Sequence, residues 1–191
     1  MGTIKKIATA LPDVFLLEPK VFTDSRGFFF ESYSRADMEQ IGIPDEFVQD
    51  NHSCSSKGVV RGLHFQSRHP QGKLVRVVRG SIFDAAVDVR KNSPAYGRSF
   101  GVELSAKNHL ILWVPAGFAH GFLSLEDGTE VLYKTTDFYH PEYDGGIHWN
   151  DPDLRIAWPG DIAPIVISEK DNRLPRLREI DSPFEYRSSS T

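Results

Sequence analysis

The chain has 191 residues, 40 % of them hydrophobic, with 26 acidic side chains against 22 basic ones and a formal net charge of −4. A chain of this length buries roughly two-thirds of its unfolded surface, so a substantial core is within reach. No long basic run supplies the electrostatic footprint of a nucleic-acid surface, so an anionic ligand has to be held by local cations.

The single cysteine, Cys54, excludes an intrachain disulfide and makes the cytoplasm the default compartment. The opening "MGTIKKIATALPDVFLLEPK" has two lysines, but its apolar stretch is broken by Pro12 and Asp13, which makes a poor signal peptide. Lys6 stands where a myristoylation signal needs serine or threonine. No apolar run approaches the length of a membrane span, so no membrane partner is expected.

The first helix is predicted at "SRADMEQIG", where Ser34 and Asp37 have capping-box spacing and Gly42 can end the turn. From Gly72 onward come "GKLVRVVRGSIFDAAVDVR", "YGRSFGVELS", "HLILWVPAG", "HGFLSL" and "TEVLYKTTDFY", short β-like runs punctuated by Gly, Pro, Asn or Asp. Many short strands at this spacing predict an all-β antiparallel sandwich or barrel such as a jelly roll, with a few short peripheral helices. Phe83, Val87, Val89, Val102, Leu104, Ile111 and Trp113 are the main core candidates. A second helical piece is predicted at "SEKDNRLPRLREI", where Ser168 and Asp171 repeat the capping pattern and Pro175 limits the length. Residues 1–186 are expected to form one domain and residues 187–191 a disordered tail.

Several polar residues do not fit a core. In "VVRGLHFQ", alternation places His64 and Gln66 on one face, Leu63 and Phe65 on the other, and Arg61 opposite His64. Gly62 can mark a bulge that lets Arg61 and His64 reach one cavity. A lone histidine among apolar residues is more often structural than catalytic, yet histidine is also the commonest acid–base residue. In "TEVLYKTTDFYHP" the same alternation puts Val131, Tyr133, Thr135, Asp137 and Tyr139 on one face. That face reads either as a satisfied hydrogen-bond ladder or as the support of a phenol that donates a proton to carbon. His120, after a Pro-Gly turn, is either exposed at the barrel mouth or a phosphate ligand, as are Lys73, Arg26 and Arg61.

The segments "DSRGFFFESY", "QDNHSCSSKGVVRGLHFQ", "PQGKLVRVVRGSIFDAAVDVR", "VPAGFAHGFLSL", "YKTTDFYHPEYDGGIHWNDPDLRIAWP" and "SEKD" together resemble the dTDP-4-dehydrorhamnose 3,5-epimerase family, in the same order and from about residue 4 to residue 182. The resemblance implies a cupin-type jelly roll that works as a homodimer without metal or nicotinamide. It implies inversion of C3 and C5 of dTDP-4-dehydro-6-deoxy-D-glucose to give dTDP-4-dehydro-L-rhamnose. Both carbons flank the C4 ketone, so each can lose a proton to an enolate and regain one on the opposite face. That chemistry needs a base, an acid on the other face, and a cation at the oxygen.

By resemblance His64 is the base, Asp171 the carboxylate that orients it, Tyr133 the acid and Lys73 the cation at the enolate oxygen. The capping position of Asp171 competes with the second role unless its oxygens are shared. Tyr139 is the neighbouring donor candidate or a residue that places the sugar. The binding pattern carries over onto Arg26, Glu31, Gln49, Asn51, Arg61, His120 and Lys170, with Phe28 or Phe29 near the thymine, reaching in from the other subunit. Asp144 stands where the family has a glutamate. The metal-binding cupins carry His-x-His, then Glu and a third His. Here the residue two after His64 is Gln66 and no glutamate follows at that spacing, so no metal centre is expected. A sister epimerase inverting one carbon would keep the same residues, and a non-catalytic sugar-nucleotide-binding cupin would not need the acid and base.

Overall fold

The computed structural model describes residues 3–163 and 165–187; of the tail expected at 187–191, residues 188–191 lie outside the described residues. The strands are β1 (Ile4–Ala8), β2 (Phe15–Pro19), β3 (Phe22–Asp24), β4 (Gly27–Phe29), β5 (Gln49–Ser55), β6 (Val59–Gln66), β7 (Lys73–Arg79), β8 (Ser81–Asp88), β9 (Ser99–Ser105), β10 (Ile111–Val114), β11 (Phe118–Ser124), β12 (Thr129–Thr135), β13 (Asp144–Gly146) and β14 (Val166–Ile167). Two short helices, α1 (Arg35–Gln40) and α2 (Glu169–Asn172), lie outside them.

One sheet runs β1-β2-β10-β7-β12-β5 and the other β13-β6-β11-β8-β9, while β3 and β4 form a separate hairpin. The pairings are antiparallel except for β14, which adds to β6 in parallel. This is the predicted cupin-type jelly roll.

Around β10 and β11 both faces of the sheets are covered, so β10 (ILWV) and β11 (FAHGFLS) are unbroken buried runs, whereas β5 and β9 alternate with exposed residues. Between the sheets lie Val75 and Val77 of β7, Leu112 and Val114 of β10, Phe118 and Phe122 of β11, and Val131 of β12. The alternate residues Leu74, Ile111 and Trp113 point to the outer face, where they pack with Met38 of α1 and Ile43. On the outer face of the second sheet Leu63, Phe65, Ala85, Val87 and Ala119 are covered by Ile147, Leu154 and Leu177. Five of the predicted core residues, Val87, Val89, Leu104, Ile111 and Trp113, are buried, and Phe83 and Val102 are partly so.

Both predicted helices are present and both are capped as expected. Ser34 Oγ accepts from the Asp37 N–H at 3.4 Å, and Ser168 Oγ accepts from the Asp171 N–H at 3.0 Å. The second helix stops at Asn172, ahead of Pro175.

The bulge that Gly62 can mark is present, and two other expectations need correction. The register between β6 and β11 slips, pairing His120 with His64 but Phe122 with Arg61, so Arg61 and His64 share the inner face. Gly62 is the residue that permits the slip: its φ is +127°, and a Cβ there would lie 2.5 Å from the Gly121 Cα. In the Tyr133 segment the strand ends at Thr135, so Asp137 and Tyr139 belong to the following loop rather than to an inward face. His120 lies within β11 rather than in a turn, and only 8 % of it is exposed.

Candidate active site

The inward positions are apolar toward one end of the barrel and polar toward the other. Along β7 the series runs Val77, Val75, Lys73; along β12 it runs Val131, Tyr133; along β11 it passes from Phe122 to His120. The polar end encloses a cavity of about 670 Å³, within the range of small-molecule sites. Of the predicted site residues, His64, Asp171, Tyr133, Lys73, Gln49, Asn51, Arg61, His120, Tyr139, Asp144 and Lys170 all line it.

His64 Nε2 lies 2.8 Å from Asp171 Oδ1, and the other carboxylate oxygen accepts from the Gly62 N–H at 3.3 Å. Because Ser168 caps the backbone N–H of Asp171, the carboxylate is free to serve β6, which resolves the competition between capping and orienting. Burial pushes the Asp171 pKa up, but the His64 side chain, the Gly62 N–H and the Ser168 hydroxyl outweigh it and hold the carboxyl below its ordinary value. An ionised Asp171 can only accept, so Nε2 of His64 carries the shared hydrogen and Nδ1 keeps the lone pair.

Lys73 is buried and forms no hydrogen bond or ion pair among the described residues. Burial lowers its pKa to about 8, against the upward pull of Asp144 and Asp84. Tyr133 pairs in register with Asn51 on one side and Val75 on the other, which fixes its backbone. Its phenol is shifted upward by burial first, then by Tyr139 and Asp144, with Arg61 opposing, so it is neutral at pH 7.

At the rim, Tyr139 donates to Asp144 Oδ2 at 3.0 Å and the Lys170 ammonium contacts the same oxygen. Asp144 therefore reaches two site residues despite its short side chain. Arg61 is braced by Ser55 Oγ at 3.1 Å and the Cys54 carbonyl at 3.2 Å, and Gln49 donates to Asn51 at 2.9 Å.

Four predicted residues are not brought to this cavity within one chain. Arg26, Phe28 and Phe29 belong to the β3–β4 hairpin, with Phe28 62 % and Phe29 67 % exposed and Arg26 paired to Asp24. Glu31 follows the hairpin and accepts from Thr3 Oγ1 at 2.8 Å.

Sequence reasoning passed over Asp84. It is fully buried, with Oδ1 2.6 Å from His120 Nε2, while Oδ2 has no partner among the described residues. The signal was a carboxylate at an inward position of "SIFDAAVD", the same kind of misfit that singled out His64. Gln66, on the His64 face by alternation, has a structural role: its amide bonds the His69 and Phe138 carbonyls and the His140 N–H, joining the loops after β6 and β12.

An ionised orienting carboxylate, an imidazole, a neutral phenol and an unpaired ammonium around one pocket define an acid–base enzyme built on a cupin-type jelly roll. Residues 8–179 match the family model described as dTDP-4-dehydrorhamnose 3,5-epimerase. The chain is 56 % identical to the enzyme of that name from Pseudomonas aeruginosa over 93 % of this chain and 98 % of the relative. It is 52 % identical to that of Methanothermobacter thermautotrophicus over 94 % and 97 %. Among solved structures, the dTDP-6-deoxy-D-glucose-3,5-epimerase of Legionella pneumophila, in complex with dTDP-4-keto-L-rhamnose, is similar with a TM-score of 0.93 and 46 % identity over 97 % of this chain and all of that one. The chain belongs to the dTDP-4-dehydrorhamnose 3,5-epimerase family. Among the described residues no helix is long and apolar enough to cross a membrane.

Proposed function

We propose that the protein converts dTDP-4-dehydro-6-deoxy-D-glucose to dTDP-4-dehydro-L-rhamnose by inverting C3 and C5 in turn. The observation that carries the reading is the grouping of His64, Asp171, Tyr133 and Lys73 around one cavity. Nδ1 of His64 takes the proton from a carbon next to the C4 ketone, and Asp171 stabilises the imidazolium. The electron pair moves to O4, where the Lys73 ammonium meets the developing negative charge in a water-poor setting. Tyr133 then delivers its hydroxyl proton to the opposite face of the same carbon. Imidazolium and phenolate recover through exchange with water, and the cycle repeats at the second carbon.

Arg61 and Lys170 supply cations for the diphosphate, while Gln49 and Asn51 offer the paired donors and acceptors that a thymine edge uses. His120, held by Asp84, stands beside the reacting ring, and Tyr139 and Asp144 close the rim. The β3–β4 hairpin supports a homodimeric reading. It projects Phe28 and Phe29 into solvent beside the Arg26–Asp24 ion pair, an apolar surface with a polar edge that a second copy's cavity mouth would cover. The lone, exposed Cys54 suits a cytoplasmic setting.

A reading with one inversion deserves a test because a 3'-monoepimerase from Streptomyces bikiniensis is similar too, with a TM-score of 0.83 at 32 % identity. Incubating the purified chain with the 4-keto sugar nucleotide and resolving the product by NMR separates them. Both carbons inverted is the expected outcome. One inverted carbon assigns a monoepimerase, and unchanged substrate removes the enzymatic reading.

A further inference from the structure

Outside the cavity, two loops bring His69, Asp137 and His140 together, each offering a ligand atom within 4.8 Å of the others. His69 Nδ1 and Asp137 Oδ2 are 3.3 Å apart, close to the separation of two donors on one tetrahedral zinc ion. The two imidazoles stack at 4.3 Å between centroids, which holds their edges side by side.

The main chain at all three positions is fixed by buried or half-buried amides. Gln66 donates to the His69 carbonyl at 2.7 Å and accepts from the His140 N–H at 2.6 Å. Gln71 donates to the Asp137 carbonyl at 2.9 Å. Asp137 Oδ1 is taken by the Phe138 N–H at 2.8 Å, which turns Oδ2 toward His69. Ligand-bearing residues anchored in this way are what a metal site needs before the ion arrives.

We propose that His69, Asp137 and His140 form a site for one divalent transition-metal ion of the zinc, cobalt or nickel class. Two imidazoles and one carboxylate suit these ions, whereas calcium and magnesium prefer oxygen alone. Water completes the coordination, and Glu142, whose carboxylate lies 3.6 Å from His140 Nδ1, adds negative charge beside an imidazole ligand. The site differs from the one whose absence the "VVRGLHFQ" pattern predicts, because its ligands sit on loops and not on barrel strands. An ion there staples the loop that carries Tyr139 to the loop after β6.

Calorimetric titration of chelator-treated full-length protein with zinc chloride tests the proposal. One ion per chain is expected. His69→Ala and His140→Ala should each bind at least about tenfold more weakly, while His52→Ala and His64→Ala bind as the parent does. Zinc should raise the Tm of the parent and not that of His69→Ala, and cobalt should give a visible spectrum that His140→Ala lacks. No saturable uptake by the parent, or equal affinity in the His69 and His140 variants, would overturn the assignment. Loss of binding in His64→Ala would move the ion to the barrel cavity and overturn it equally.

Discussion

His64 Nε2 and Asp171 Oδ1 meet at 2.8 Å although 107 residues separate them in sequence. The pair ties β6 to α2 and sets which imidazole nitrogen is free. Asp171→Ala should therefore lower kcat by about 10²–10⁴, the usual worth of a positioned acid–base group, with KM changed little. It also leaves the Gly62 N–H without its carboxylate, costing about 1–3 kcal/mol of stability. Steady-state kinetics and denaturant unfolding measure the two effects; full activity in this variant would contradict the orienting role.

Tyr133→Phe removes the donor and leaves the base. Proton loss from substrate should continue while inverted product falls by about 10²-fold or more. Comparing solvent exchange with product formation separates the steps, and equal losses in both would contradict the assignment of Tyr133 as acid.

Lys73 links activity to pH. Its charge is lost as pH rises through about 8, so kcat/KM should fall on that limb. Stability moves the other way: between about 8 and its ordinary value of 10.5 the unfolded chain binds the proton that the folded chain has lost, so the contribution of Lys73 to stability rises with pH in that window. Below it the buried charge costs about 3 kcal/mol, the equivalent of the drop from 10.5 to about 8. Lys73→Met should abolish turnover and raise Tm at pH 7. A lower Tm would show that the ammonium is not held at a cost.

Gly62 carries the register slip that puts Arg61 and His64 on one face. Gly62→Ala combines a φ of +127° with a Cβ 2.5 Å from the Gly121 backbone, and should cost about 3 kcal/mol or more. Thermal unfolding checks this; an unchanged Tm would mean that β6 and β11 can separate without loss.

The fold was legible because buried strands punctuated by turn residues leave few alternatives, and both helix caps were visible as Ser-x-x-Asp. The cavity was legible through misfits: His64, Lys73 and Tyr133 stand in strands that otherwise read as core. Alternation failed where the chain leaves ideal geometry, at Gly62 and beyond Thr135, since period-two counting carries no signal for a bulge or a strand end. Asp84 escaped because a carboxylate among alanines has no chemical meaning until His120 of a neighbouring strand is placed beside it. The hairpin residues Phe28 and Phe29 came from the family resemblance alone, while Arg26 was also a candidate phosphate ligand; within the chain Arg26 pairs with Asp24 and Phe28 packs against Phe30 and His109, outside the cavity lining.

The central claim is that the cavity removes and restores protons at two carbons. Incubation with dTDP-4-dehydro-6-deoxy-D-glucose in heavy water tests it directly. Deuterium should enter at both C3 and C5 with the parent protein and at neither carbon with His64→Ala. Absence of label with the parent, or undiminished labelling in His64→Ala, would contradict the account.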